Sequence, residues 1–411
     1  MQKYKILFIA AKNLFIVDEN LNIINVSTKI QSEKLCIFAQ SEIGNSNNTM
    51  NNIIQYNNSV SFAKGIGIML MVLGHTFFSA YGHTLIYMFH MPLFFFLSGY
   101  CFRESHLGNF RNYAKKRISR IYVPFVKWGL IFLLLHNIFF QLNIYNDTFG
   151  FEGDVSQLYG ASDYLKKAFL IFFCLSGNEQ LLGGYWFLHT MFFASFIFYG
   201  LLRLKMPPIV GGVISLFISV LLFFKGIPVV NIYGGAKEFF AVSCMMAGYM
   251  YKSYSIDKIV DRYSVYVIFV CALLLILGSV YWHGEMLDMK WTHTIPYFIS
   301  AIAGSIIVMK FSKYSAENTR LFSNFISNIG NKTLEILTWH FLCFKIVSLI
   351  IIAYYGLPIE HLAEFPVMRP YHVQGWWICY FVIGVAVPII GTVCTNRLMK
   401  IISSKYHSLC H

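Results

Sequence analysis

Charged residues are scarce in this chain of 411 residues, and acidic residues are the scarcest of them. Only 12% of the residues are charged, whereas a soluble domain usually carries about 25%. Hydrophobic residues make up 57% of the chain. This composition excludes an ordinary soluble globular protein, and it predicts an integral membrane protein.

The cysteines lack the close spacing of a zinc or redox motif. There are nine of them, and we interpret those in or beside apolar segments as small buried hydrophobic side chains. No metal site is therefore expected. The formal net charge of +13 would suit a nucleic-acid partner in a soluble protein. Here the basic residues cluster between apolar runs, so we interpret them as determinants of membrane topology and expect no nucleic-acid partner.

Apolar runs long enough to cross a bilayer follow one another from Ser61 onward. A shorter run, Tyr164 to Leu175, is expected to be an interfacial or re-entrant helix. The sequence predicts an all-α, polytopic membrane protein with about ten transmembrane helices. Their predicted ranges are 63–80, 87–102, 121–141, 184–202, 208–224, 236–251, 263–281, 293–310, 333–353 and 375–395.

Basic residues favour one side of these predicted helices. About eighteen lie in alternate connections, beginning with loop 103–120, against about six on the opposite side. The bias predicts that both termini and loop 103–120 are cytoplasmic. The opposite segments 143–163, 282–293 and 354–374 combine acidic, polar and aromatic residues, Glu285 among them. Such groups suit hydroxyl-rich ligands, although ordinary solvated loops have the same composition.

The first 60 residues differ from the rest and are predicted to be an N-terminal extension that is flexible or non-native. Residues 44–60 are rich in Asn and Ser, as in a linker, and no signal-peptide cleavage pattern is present. Our hypothesis is that Met50 is the native start and that residues 1–49 lie upstream of it. N-terminal sequencing of the natural product tests this. Residues 61–396 are the predicted membrane domain, and residues 397–411 are the predicted cytoplasmic tail.

The first apolar run carries a lysine and a histidine eleven positions apart, Lys64 and His75. On an α-helix this separation is roughly 16 Å, which places His75 near the middle of a bilayer if Lys64 lies at its face. An ionisable side chain at that depth is a candidate functional group, and the unperturbed pKa of histidine suits proton transfer. The alternative is a structural histidine that is bonded to a neighbouring carbonyl group.

The second run begins with His90 and ends with Ser98-Gly99, in the segment FHMPLFFFLSGY. Small residues there allow a helix or a ligand to approach closely. The loop that follows reads NYAKKRISRIYVPF, and on a helix Lys116 or Arg117 shares a face with Arg120. Such a cluster binds phosphate, or it serves only to anchor the protein at the positively charged side of the membrane.

Together these patterns resemble the membrane acyltransferase 3 family of bacterial O-acyltransferases. The resemblance rests on Lys64 with His75, on the FHMPLFFFLSGY segment, and on three later stretches of sequence. It runs from about residue 60 to 396. The family more often has arginine in place of Lys64. The three later stretches are Trp186-Phe187-Leu188, AKEFFAVSCMMAGYMYK, and IGNKTLEILTWHF with His340.

The resemblance implies an enzyme of the bacterial inner membrane. It would move an acyl group, taken here as acetyl, from cytoplasmic acyl-CoA to a hydroxyl of an extracytoplasmic cell-surface glycan or glycolipid. It implies His75 as general base or acyl carrier, Ser98 as a positioning group or oxyanion donor, and His340 as a second base or tunnel wall. His90 and Trp186 are expected to be structural. The expected phosphate-binding residues are Lys64, Lys116, Arg117 and Arg120.

Larger family members carry an appended extracytoplasmic hydrolase-like domain, and no soluble segment here is long enough for one. The protein is therefore expected either to transfer directly to its acceptor or to use a separate partner protein.

Two other functions fit part of the same pattern. A transporter of an anionic or acylated solute is the alternative, although no inverted internal repeat is evident. A non-catalytic scaffold would leave Lys64 and His75 unexplained.

Overall fold

The computed structural model describes residues 7–10, 13–17, 23–24, 58–149, 155–177, 179–226, 235–287 and 289–409. The chain divides into two compact units, Met1–Asn57 and Asn58–His411. Within the first unit, β1 (Leu7–Ala10), β2 (Asn13–Val17) and β3 (Ile23–Ile24) form an antiparallel sheet in the order β1-β2-β3. Residues 44–57 of the predicted linker at 44–60, and the proposed start at Met50, lie outside the described residues, whereas residues 58–60 are helical.

The described residues of the second unit form helices and connecting turns. The α-helices are α1 (Asn58–Gly74), α2 (Ala80–Tyr87), α3 (His90–Tyr100), α4 (Phe110–Arg117), α5 (Val123–Gln141), α6 (Ala161–Phe169), α7 (Trp186–Arg203), α8 (Pro208–Phe224), α9 (Ala236–Ser253), α10 (Ile256–Arg262), α11 (Ser264–Tyr281), α12 (Thr294–Asn318), α13 (Arg320–Gly330), α14 (Thr333–Tyr355), α15 (Arg369–Tyr371) and α16 (Trp377–Leu409). Single 3-10 or π turns connect several of them, at Glu104–His106, Ile118–Tyr122, Leu170–Cys174, Gln180–Tyr185, Trp291–His293, Ile359–Ala363 and His372–Trp376.

Six of the described helical segments are long and apolar enough to cross a membrane. They confirm that this unit is an all-helical, multi-pass membrane protein. The other four predicted runs also fall on helices, namely α1, α3, α8 and α9. The helices α1, α3 and α8 are shorter than the six, α2 is a separate helix before α3, and α9 carries charged residues. The count of ten and the cytoplasmic placement of both termini stay predictions. The six segments are Phe110–Gln141, Gln180–Arg203, Ser264–Tyr281, Trp291–Asn318, Thr333–Tyr355 and Gln374–Thr395.

Close glycine contacts join α3 to α9. A Cβ atom on Gly99 of α3 would lie 1.8 Å from the backbone oxygen of Met245, and one on Gly248 of α9 would lie 1.9 Å from that of Phe96. The backbones of α3 and α9 therefore touch at both positions, which only small residues permit. The aromatic segment that the sequence singled out thus packs within the protein.

The N-terminal half of α1 lies equally close to the end of α13. A Cβ atom on Gly330 would lie 1.7 Å from the backbone oxygen of Ser61. The Ser61 hydroxyl also donates a hydrogen bond of 2.8 Å to the side-chain oxygen of Asn331. These contacts bring the start of α14 beside the start of α1, and Lys64 lies on α1 at this level.

Candidate active site

His75 lines a cavity with about 60 Å³ of room for the centres of water-sized molecules. The polar and aromatic side chains in its lining come from four separate parts of the chain. The remaining lining residues are mostly apolar. We call this space the histidine cavity, and its polar and aromatic lining residues are His75, Tyr87, His90, Trp186, Glu285 and Tyr297.

His75 lies immediately after the last helical residue of α1, Gly74, and is half-buried. Its Nδ1 atom is 3.2 Å from the Tyr87 hydroxyl, and either group can donate the hydrogen bond. Its ring stacks on that of His340 with centroids 5.6 Å apart and planes at 24°. His75 therefore combines one hydrogen-bonding partner with an open side toward the cavity.

His340, on α14, is fully buried beside His75. Its Nδ1 atom lies 2.9 Å from the carbonyl oxygen of Ile336 and 3.1 Å from that of Leu337. A carbonyl oxygen only accepts, so Nδ1 must carry the hydrogen. In the neutral ring Nε2 is then a free base, and it has no hydrogen-bond partner among the described residues. A buried polar atom without a partner is costly, and it is a candidate for contact with substrate.

His90 has the same local arrangement at the start of α3. Its Nδ1 atom lies 2.9 Å from the carbonyl oxygen of Ile86, so Nε2 is again the unprotonated nitrogen of the neutral ring. Trp186 lines the same cavity, with the ammonium group of Lys237 5.7 Å from its ring centroid. Sequence reasoning assigned His90 and Trp186 structural roles, and the structure adds that both form the wall of the histidine cavity.

Glu285 is the cavity residue that sequence reasoning recognised only as one acid in a polar connection. The segment between α11 and α12 folds inward and places Glu285 and Met286 in the lining. The hydroxyl of Tyr297 donates a hydrogen bond of 2.9 Å to the backbone oxygen of Tyr87. This bond holds α12 against the end of α2, and it brings the preceding segment close to His75.

A second cavity, with about 150 Å³ of room for the centres of water-sized molecules, lies beside the first. Arg120 and Thr333 are the polar side chains in an otherwise apolar lining that includes Ile68, Phe94 and Phe187. We call it the arginine cavity. Met71, Met91 and Leu337 line both cavities, so the two spaces adjoin at these three residues.

The four predicted phosphate-binding residues are not equivalent in the structure. A π turn, Ile118–Tyr122, begins directly after Arg117 and contains Arg120, so the two side chains are not related by regular α-helical spacing. Arg120 lines the arginine cavity, whereas Lys116 is exposed. Lys64 is half-buried, one helical turn before Ile68 of the cavity lining.

Arg117 and Ser98 form a separate pair. An Nη2 atom of Arg117 donates a 3.4 Å hydrogen bond to the Ser98 hydroxyl, and its guanidinium lies 5.1 Å from the ring centroid of Tyr113. Ser98 is eight residues after His90 on α3, which is about 12 Å along the axis. The structure therefore brings His75 and His340 together, and it places Ser98 with the basic residues.

Two further buried acids have partners that local sequence does not reveal. Glu179 bonds to His136 at 2.8 Å, and both side chains are fully buried. Glu238 accepts hydrogen bonds from the Thr190 hydroxyl and from the backbone N–H of Gly235, at the start of α9. These contacts explain the burial of both acids as structural pairs. Within the described ranges, no three His, Cys, Asp or Glu side chains gather into a group that could hold a metal ion.

The described helices and the site define a multi-pass membrane protein in which His75 lines a cavity that contains Glu285 and adjoins a second cavity that contains Arg120. Residues 57–394 match the family model of the acyltransferase 3 family, described as an acyltransferase domain, so the chain belongs to this family. No solved structure matches the chain.

The chain is also similar to the nodulation protein NolL of Mesorhizobium japonicum (strain LMG 29417 / CECT 9101 / MAFF 303099). The two are 33% identical over 103 residues. The match spans 22% of this chain and 28% of the relative.

Proposed function

We propose that the protein transfers an acyl group, in its simplest form acetyl, from cytoplasmic acyl-CoA to a hydroxyl of an extracytoplasmic cell-surface glycan or glycolipid. The enzyme would reside in the bacterial inner membrane. The observation that carries the proposal is the pair of adjoining cavities. One contains Arg120 near the basic loop. The other contains Glu285 and His75, and His340 stacks on His75.

The arginine cavity and the basic loop near it suit acyl-CoA, the proposed acyl donor. The nucleotide of acyl-CoA is polyanionic and cannot enter hydrocarbon, so its phosphates must stay at a membrane face. Arginine binds phosphate through paired, charge-assisted hydrogen bonds. We assign Arg120 and Lys64 to the mouth of the arginine cavity, and Lys116 and Arg117 to the phosphates beyond it. The contact between Ser98 and Arg117 supports a donor-side positioning role for Ser98.

The histidine cavity suits the acceptor. The carboxylate of Glu285 accepts hydrogen bonds from hydroxyl groups, and the ring of Trp186 offers a flat surface of the kind on which sugar faces stack. Both side chains line the space that His75 faces. An acceptor bound there would present a hydroxyl to the histidine from the side opposite the donor.

The proposed reaction uses His75 as general base. His75 takes the proton of the acceptor hydroxyl while the oxygen attacks the thioester carbonyl. The tetrahedral intermediate collapses, the C–S bond breaks, and the CoA thiolate receives the proton from His75. The products are the ester and free CoA. Nε2 of His340 would serve as the second base beside it. The alternative is that one histidine carries the acyl group covalently.

The proposal is tested with purified protein in lipid vesicles, radiolabelled acetyl-CoA and a set of glycan or glycolipid acceptors. We expect CoA release that depends on the acceptor, together with radiolabelled acceptor. Transfer by the protein alone would favour direct transfer over a partner-assisted route. If acetyl-CoA remains intact with every acceptor while an anionic solute crosses the vesicle membrane, the transporter function is correct instead.

Two variants of Lys64 distinguish a role of its positive charge in binding acyl-CoA from a purely structural role of its side chain. Lys64→Arg preserves the positive charge, so we expect its KM for acyl-CoA to stay within about twofold of the original enzyme. Lys64→Glu should raise that KM roughly tenfold, because one charge-assisted phosphate contact is worth about 1.5–3 kcal/mol. Steady-state kinetics at fixed acceptor concentration measure both. An unchanged KM in the glutamate variant would contradict the phosphate role.

A further inference from the structure

Three apolar side chains line both the arginine cavity and the histidine cavity. We infer that Met71, Met91 and Leu337, called here the acyl partition, limit the length of the acyl group that reaches the histidines. The expected substrates are acyl-CoA thioesters with short chains. This inference rests on the proposed function, since it assumes a donor in the arginine cavity and an acceptor in the histidine cavity.

The partition is built from three helices that are far apart in sequence. Met71 lies on α1, Met91 on α3 and Leu337 on α14, and all three are at least nine-tenths buried. These three residues belong to the linings of both cavities. The direct route between the cavities therefore runs past their side chains.

The partition has little spare room. A Cβ atom on Gly184, which lines the histidine cavity, would lie 2.7 Å from Cδ1 of Leu337. Leu337 therefore already fills the space beneath Gly184. The backbone oxygen of Leu337 is 3.1 Å from Nδ1 of His340. The three partition residues and His75 all line the histidine cavity, so an acyl carbonyl that passes the partition enters the space that His75 lines.

The partition would select short acyl chains by steric exclusion of longer ones. The arginine cavity is lined by apolar side chains such as Ile68, Phe94 and Leu188, and apolar contact alone favours longer alkyl chains. Affinity in that cavity therefore cannot select a short chain. Selection needs an element that excludes long chains. Methionine side chains are flexible enough to move for a small group, but each added methylene must displace more of a close-packed wall.

The test compares acetyl-, butyryl- and hexanoyl-CoA as donors to one acceptor in lipid vesicles. The variants are Met71→Ala and Met91→Ala. The matched control is Met246→Ala, which truncates a fully buried methionine packed against Gly211 and Gly212, away from the partition. We expect the ratio of kcat/KM for hexanoyl-CoA to that for acetyl-CoA to rise at least tenfold in the two partition variants and to stay unchanged in the control.

A gain of activity with long chains cannot arise from a misfolded protein. If an alanine variant is not recovered folded, Met71→Val and Met91→Val remove less volume, and a smaller rise is expected. A wild-type ratio in every folded partition variant overturns the inference, and so does an equal rise in Met246→Ala. In both cases acetyl transfer by the original enzyme leaves the proposed function standing. No transfer from any acyl-CoA by the original enzyme would overturn both.

Discussion

Replacing His75 by alanine is expected to lower the rate of CoA release by about 10²–10⁴-fold, the usual contribution of a general acid–base group. His75 is the ring that combines an open side toward the histidine cavity with the contact to Tyr87 and the stack on His340. The loss should appear in kcat, because the imidazole acts on the reacting hydroxyl and thiolate rather than on the distant nucleotide. Initial rates at saturating acetyl-CoA measure it.

Two variants of neighbouring residues separate catalysis from packing. His83→Ala removes a histidine that stacks on Tyr87, with ring centroids 4.0 Å apart, and should keep most of the activity. Tyr87→Phe keeps the ring and loses only the hydroxyl near His75, so a fall of intermediate size is expected. Thermal unfolding of each variant in the same detergent reports whether it is folded. A folded His75→Ala variant with full activity would remove His75 from the mechanism.

Replacing Arg120 by glutamate is expected to raise the KM for acyl-CoA by about 100-fold, with a smaller effect on kcat. Removing one hydrogen bond to a charged group costs about 1.5–3 kcal/mol, or roughly 10–150-fold, and the reversed charge adds repulsion. Arg120 is the basic side chain that lines the arginine cavity. The effect should weaken at high salt, because ions screen exposed charges.

Arg203→Glu provides the matched control. Arg203 is also exposed, and it ends α7 at the side where the sequence predicts the other basic residues. It contributes the same formal charge to the protein, but it does not belong to the lining of the arginine cavity. A similar KM increase in both variants would mean that general surface charge, rather than a phosphate site at Arg120, governs donor binding.

Much of the architecture follows from local sequence. Apolar run length places helices wherever a spanning segment was predicted, because a chain in lipid must satisfy its backbone hydrogen bonds within each segment. The sequence predicted the role of Gly99 but not the partner of Ser98. Gly99 does allow a second helix to approach, as the sequence suggested. The partner of Ser98 is Arg117. A π turn begins directly after Arg117 and contains Arg120, and no periodicity in the sequence indicates this turn.

The candidate site was recoverable only in pieces. Lys64 and His75 were recognised from their spacing on a predicted membrane helix, and His340 was recognised through the family resemblance. Their mutual positions were not accessible, because His75 and His340 are 340 − 75 = 265 positions apart. Glu285 was noted only within a polar connection, since nothing in its neighbourhood indicates that the segment folds toward α2.

Composition and run length by themselves determined that this chain is a helical membrane protein, and its motifs determined the acyltransferase family. The tertiary structure alone decided that two histidines stack and that one of them has a ring nitrogen without a partner among the described residues. It also decided that three apolar side chains from three helices line two adjoining cavities. The physical reason is that hydropathy and helix periodicity act over a few turns of chain. The approach of distant helices depends on glycine contacts whose partners lie far away in sequence.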